Sequence, residues 1–214
     1  MTQKILEKFN TLPCFSKQNL KLSQDNSNYS FDKNIQNWLA RGIIKQLKNG
    51  LYVSERYILA EKDITAYSEF IASKLVYPSY LSCEYVLQKY NLLTEAIYTI
   101  TSVTSKTTRT IKNFLAKFSY YNLKKELITG FMEFSYKNNK YWQATKAKAL
   151  FDYIYLRKNN FFNFSLAELS ELRLNTDEFS KNDLRELKKY IQLSNDVKMQ
   201  KFFTNFQKLC LSKS

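Results

Sequence analysis

Only three glycines punctuate this chain of 214 residues, and two of them, Gly42 and Gly50, fall within residues 31–53. Few other residues take left-handed backbone freely, so sharp reversals are confined to a few places. Phe31, Ile35, Trp38 and Leu39 recur at i, i+4, i+7 and i+8, which lays one apolar stripe along an α-helix. Gly42 stands where that helix needs a left-handed C-terminal residue. Two short β-prone runs, 43–47 and 51–53, flank Lys48-Asn49-Gly50, and Asn-Gly is a strong hairpin signal. A helix followed at once by a tight basic hairpin has the order of a recognition helix and its wing.

The residues upstream supply two more helices. Ile5, Leu6 and Phe9 share one side of a short helix that Pro13 ends, and Ser16 is placed to cap a second with Leu20 and Leu22 as its apolar residues. A polar stretch, 23–28, leads into the third. Three helices and a hairpin predict an N-terminal winged helix-turn-helix over residues 1–56. At 100° per residue, Ser30, Lys33, Asn37 and Arg41 lie opposite the apolar stripe, with Tyr29 and Asn34 flanking. Asn pairs with adenine, Lys and Arg reach guanine or phosphate, and Ser and Tyr bind phosphate. Lys45, Lys48 and Asn49 on the hairpin are placed for the DNA backbone. A solvated helix face carries the same residue types, and it is the adjoining basic hairpin that favours double-stranded DNA.

Composition narrows the chemistry. Histidine is absent, which excludes a Ser-His-Asp triad, a Cys-His pair and any His-ligated metal. Three glycines leave no Walker loop and no GxGxxG fingerprint. The three cysteines are odd in number and far apart, which argues against a disulfide framework and fits a reducing cytoplasm. No run approaches the ~18 apolar residues of a membrane span, and the N-terminus has no apolar core of a signal peptide. The expectation is a cytoplasmic protein with no membrane partner and no cofactor. Net charge is +14, from 33 basic and 19 acidic residues, and such an excess favours a polyanion. AT-rich coding sequences also enrich Lys, Asn, Phe, Tyr and Ile, and the excess runs through all thirds of the chain, so charge alone is a weak argument.

Residues 57–214 read as an α+β domain. A polar linker, 54–62, precedes a helix over 63–75 that Pro78 breaks, and Ser82 caps a short helix over 83–90. From Ile97 the segments TITSVTS, TTRTIKNF, KFSYYNL and FMEFSYK alternate apolar and polar residues, with Gly130 and 137–140 as turns. This predicts a small, mostly antiparallel sheet. Tyr141 and Trp142 lead into a helix over 146–156 with Ala149, Leu150, Tyr153 and Ile154 as its stripe. The C-terminal part, about 160–214, is helical, with capping boxes at Ser165/Glu168 and Ser180/Asp183 and a last helix over 195–211.

Three blocks resemble the AbiEi-type antitoxins of abortive-infection systems. The first is Gly42, Ile44, Leu47, Gly50 and Tyr52, matching the end of that family's winged domain. The second runs from Pro78-Ser-Tyr-Leu-Ser82 through Leu87 to a strand, Ile100-Thr-Ser-Val-Thr104, that ends at Arg109. The third is Ala144-Thr-Lys-Ala147-Lys148-Ala149-Leu150-Phe-Asp152-Tyr-Ile-Tyr155, where the family has an acid in place of Ala147. The resemblance covers roughly residues 3–160. It implies a two-domain bacterial antitoxin of the type IV class, not an enzyme. Its winged domain would bind inverted repeats at its own promoter, two copies to a palindrome. Its second domain would counter a nucleotidyltransferase toxin, with or without direct contact.

Two side-chain groups are candidates for that antitoxicity surface. Lys148 and Asp152 are i, i+4 on one helix, the spacing of a surface ion pair. Thr104, Lys106, Thr108 and Arg109 (with Ser105 and Thr107) sit at a strand end, where hydroxyls and a guanidinium suit a phosphate or an acidic partner. Two other functions stay open. One is a stand-alone winged-helix regulator. The other is a metal-dependent nuclease using Glu126, Glu133, Asp152 and Lys148, although these lack the paired spacing of a Mg²⁺ site.

Overall fold

A computed structural model describes residues 7–22 and 28–211, with side chains from Asp32 onward in the second of these ranges. Ile5, Leu6 and most of the polar 23–28 stretch lie outside the described residues. The chain is α+β, with a three-stranded and a six-stranded sheet.

The first unit runs from a helical turn at residues 7–9 through β1 (Phe15–Ser16), α1 (Lys17–Leu22) and α2 (Asn28–Ala40) to the hairpin β2 (Ile44–Lys48) and β3 (Leu51–Ser54). Ser16 caps α1 by accepting from Asn19 N–H at 3.0 Å, while Asn19 Oδ1 accepts from Ser16 N–H at 2.9 Å. Leu20 is buried as expected, but Leu22 is 82% exposed. Gly42, at φ +67°, closes α2 with Gly42 N–H on Leu39 O and Ile43 N–H on Trp38 O, both bonds of a Schellman cap. Gly50, at φ +75°, makes the hairpin turn. β1 joins the outer side of β3, giving the antiparallel order β1-β3-β2.

That hairpin serves two cores. Ile44 and Tyr52 pack with Phe9, Phe15, Leu20, Ile35 and Trp38 in a small cluster, whereas Leu47 and Val53 belong to the large one. Ile44 and Leu47 are three residues apart and Tyr52 and Val53 are neighbours, so plain alternation along each strand sends them to different cores; a register slip lies between Gln46 and Lys48.

Residues 54–62 are not a linker. They form α3 (Glu55–Ala60), capped by Ser54 Oγ accepting from Tyr57 N–H at 3.1 Å. Tyr57 is buried in the large core and bonds Tyr136 hydroxyl to hydroxyl at 2.7 Å. Glu61, just beyond α3, receives the Tyr136 hydroxyl and, at 2.6 Å, the Lys137 ammonium. Burial alone would raise its carboxyl, but these donors and Asp63 N–H outweigh it and hold Glu61 at about 2 against an ordinary 4.5. A depressed carboxylate contributes stability above its unfolded value and loses it as pH falls toward its folded one. Glu61→Gln is therefore expected to lower the melting temperature at neutral pH. It should also flatten the loss seen between pH 4.5 and 2, as thermal unfolding across that range would record.

The remaining strands are β4 (Ser79–Leu81), β5 (Thr99–Thr104), β6 (Arg109–Lys112), β7 (Lys117–Asn122), β8 (Phe131–Tyr136) and β9 (Asn139–Ala144). Their order is β6-β7-β5-β4-β9-β8, and the pairs β5–β7 and β4–β9 are parallel, so the sheet is larger and more mixed than the strand pattern predicts. The whole of β9 was unforeseen, because its alternation begins inside the turn expected at 137–140. One face meets α4 (Ile64–Leu75), where Phe70 stacks on Tyr136 and Tyr141 donates to Glu69 at 2.7 Å. From the other face Tyr80 and Ser82 reach α6 (Lys146–Arg157), which lies against α5 (Cys83–Lys89) and α8 (Lys181–Ser194).

Residues 160–211 add α7 (Leu166–Glu171), α8 and α9 (Val197–Leu211) to the same large core through Leu169, Leu187, Phe202 and Phe206. Both expected capping boxes form. Asn195 ends α8 in the left-handed region, so α9 begins two residues later than predicted. Among the described residues no helix is long and apolar enough to cross a membrane.

Candidate nucleic-acid interface

α2 presents the polar face expected of it. Ile35 and Trp38 are buried in the small core, and Lys33, Asn37 and Arg41 are exposed, with Asn34 half-buried at the flank. The side chains of Tyr29 and Ser30, and of Phe31 from the predicted apolar stripe, lie outside the described residues. The acid on this surface, Asp32, is matched by Lys17 of α1 at 2.7 Å. Lys33 and Arg41 have no carboxylate partner among the described residues.

The hairpin cations do not stand free, as their expected role would have them, but have partners within the chain. Lys48 reaches back to the end of α4, donating to Leu75 O at 2.6 Å and Lys74 O at 3.2 Å. Unpaired carbonyls at a helix C-terminus carry partial negative charge, so a nearby ammonium is drawn to them once Leu47 anchors the strand in the large core. Burial pushes the Lys48 pKa down, and the charges of Lys106 and Arg109 push it further. Lys45 pairs with Glu55 at 2.9 Å and lies 5.1 Å from the ring centroid of Phe114. Asn49, at the turn, is exposed.

The strand-end group splits. Thr104 is buried, donating to Pro78 O at 2.6 Å, and Thr108 Oγ1 accepts from Asn122 N–H at 3.0 Å. Lys106 and Arg109 remain exposed beside the hairpin, and Asn113 ties the next turn to it by donating to Leu47 O at 3.0 Å. The hairpin and the turn after β6 thus meet, with Lys106 and Arg109 close enough for their charges to act on Lys48, although sequence separates them widely. Both belong to stretches without acid. Residues 33–54 hold four cations and residues 96–125 hold six, with no Asp or Glu in either. Counting charge over whole domains hides this; counting it between successive acids reveals it.

Lys148 and Asp152 are neither a surface ion pair nor a partner surface, because both are fully buried. Lys148 Nζ donates to Asp152 Oδ1 at 2.6 Å and to Leu127 O at 2.7 Å. Asp152 Oδ2 accepts from Tyr80 at 2.8 Å and Ser82 at 2.7 Å. Burial pushes the Asp152 carboxyl up, against the pull of Lys148 and the two hydroxyls. Ser82 spends its hydroxyl here and makes no side-chain cap on α5. Two of the blocks that carry the family resemblance therefore meet as one internal clasp between β4 and α6. Ala147 is buried as well, so the position where the family has an acid offers no surface in this chain.

Of the three carboxylates considered for a nuclease, Glu126 is exposed and the other two are engaged. Asp152 is saturated inside the fold, and Glu133 pairs with Lys140 at 2.7 Å. Among the described residues no three His, Cys, Asp or Glu side chains group where they could hold a metal ion. Sequence reading also missed Glu69, a buried carboxylate held by Tyr85, Lys89 and Tyr141. Comparison with models of known protein families and with curated proteins gives no match to this chain.

Proposed function

We propose that this protein is a DNA-binding antitoxin that represses its own operon, with residues 7–54 acting as a winged-helix unit. The carrying observation is α2: Lys33, Asn37 and Arg41 exposed, opposite a stripe locked into a small core. A helix end fixed by the Gly42 cap and packed on a three-stranded sheet presents these groups rigidly, as groove readout requires. The order helix, strand, helix, helix, hairpin, with the early strand joined to the hairpin, is that of winged helices. In this reading Arg41 and Lys33 contact guanine or phosphate and Asn37 reads adenine. The hairpin positions the unit against the second domain more than it grips DNA, because Lys48 is engaged by α4. Lys106 and Arg109 extend the cationic surface beside it.

The antitoxin half rests on the AbiEi-type resemblance and is tested separately. Footprinting the full chain on DNA upstream of its own reading frame, at low salt, should protect an inverted repeat; no protection anywhere overturns the repressor half. Co-expression with a nucleotidyltransferase encoded next to it should restore growth, and failure to do so removes the antitoxin half. An intact footprint with no toxin gene adjacent would instead mark a stand-alone regulator.

A further inference from the structure

A pocket of about 300 Å³ opens on the same sheet face as α6, on the part that this helix leaves uncovered, next to the segment that carries Lys106. Its wall is aromatic. Tyr80 stacks on Phe131 at 4.8 Å, Phe131 meets Trp142 edge-on at 5.5 Å, and Tyr77 stands at the rim. Most of the large rings in this chain are buried, yet Tyr77 is 73% and Trp142 38% exposed. Among the described residues Tyr77 has no ring partner, and neither its hydroxyl nor the Trp142 indole N–H has a hydrogen-bond partner. Leaving such rings in water gives up burial that the fold could use.

The floor and the rim differ in a way that suits a ligand. At the floor every hydroxyl is satisfied, with Tyr80 on Asp152 and Thr104 on Pro78 O, so a flat apolar group meets no unpaired dipole. At the rim, Ser105 and the exposed ammonium of Lys125 have no partner among the described residues, and Lys106 follows Ser105 in the chain. The carboxylate opposite Trp142, Glu133, is neutralised by Lys140. Glu126, beside Lys125, is exposed to water. Free ring faces offered together with unpaired cations are the two requirements for holding a base and its phosphate.

We propose that this pocket binds a nucleobase carrying a phosphate, the base held against Tyr77 and Trp142 and the phosphate by Lys125 and Ser105. The same chemistry is offered by a free mononucleotide and by an unpaired base in a strand. The inference is independent of the duplex-binding reading, which concerns α2.

The chain's two tryptophans make the test direct, because Trp38 is 5% exposed and Trp142 lines the pocket. The full-length protein would be titrated with adenosine and cytidine monophosphates and with a short single-stranded oligonucleotide, following tryptophan fluorescence. Saturable quenching is expected. Tyr77→Ala, which removes one base–aromatic stack, and Lys125→Ala, which removes a charge-assisted contact to the phosphate, should each weaken binding by about tenfold. Tyr98→Ala, an exposed tyrosine outside this pocket, should leave it unchanged. Quenching by mononucleotides identifies a free nucleotide as sufficient, and quenching by the oligonucleotide alone identifies an unpaired base in a strand. No saturable change with either probe, or a change insensitive to both pocket variants, overturns the proposal. Neither pocket variant should alter duplex binding.

Discussion

Asp152→Ala is expected to destabilise the protein by about 3–5 kcal/mol, the cost of leaving a buried charge without its partner. The substitution leaves the Lys148 ammonium without a counter-charge, with only Leu127 O as hydrogen-bond acceptor and the rings of Phe151, Tyr190 and Tyr80 around it, and removes the acceptor of both the Tyr80 and Ser82 hydroxyls. With every member of the network shielded from water, no solvent molecule takes the carboxylate's place without repacking. The double variant Lys148→Met/Asp152→Leu should recover much of the loss, because apolar side chains of similar volume avoid the stranded charge. Denaturant unfolding of the full chain measures both. A single variant within about 1 kcal/mol of the parent would show that the pair is not the clasp described, since exposed ion pairs are worth no more than that. Any effect of Asp152→Ala on antitoxin activity should follow the loss of folded protein and be reversed in the double variant.

The second large effect is on binding and should leave the fold untouched. Replacing Lys33, Asn37 and Arg41 together by alanine removes three exposed side chains with no partner in the core, so stability should change by less than about 0.5 kcal/mol per site. Affinity for operator DNA should nonetheless fall by at least about a hundredfold, since each base contact of this kind carries roughly 1–3 kcal/mol. The two variants thus separate the roles: one probes the buried Lys148–Asp152 clasp, the other the DNA contacts proposed for α2.

How much was legible in the sequence follows from how local each signal is. The Ile35, Trp38 and Leu39 part of the α2 stripe, the Gly42 cap, the Asn49-Gly50 turn and both serine capping boxes depend on residues within a few positions of one another, and all appear as expected. The helix α3 was missed because what stabilises it is distant: Tyr57 reaches Tyr136, 79 residues away. The strand β9 was missed for a local reason, since its pairing with β8 starts at Asn139, inside the turn expected at 137–140. The i, i+4 spacing of Lys148 and Asp152 is the same for an exposed pair and a buried one. What decides burial is Tyr80 and Ser82, 72 and 70 residues upstream of Asp152. Lys48 shows the converse case. Its position on a basic hairpin suggested a phosphate contact, and only the end of α4 beside it reveals another acceptor.

The most direct test of DNA recognition by α2 is equilibrium binding of the full-length protein to a duplex from its own upstream region, at a series of salt concentrations. The parent should bind at low salt, with log K falling linearly with log salt. The Lys33/Asn37/Arg41 variant should bind far more weakly, with a slope flatter by about 0.9 for each phosphate it no longer neutralises. A parent that ignores the duplex at low salt, or a triple variant that binds with the parent's affinity and slope, would contradict it.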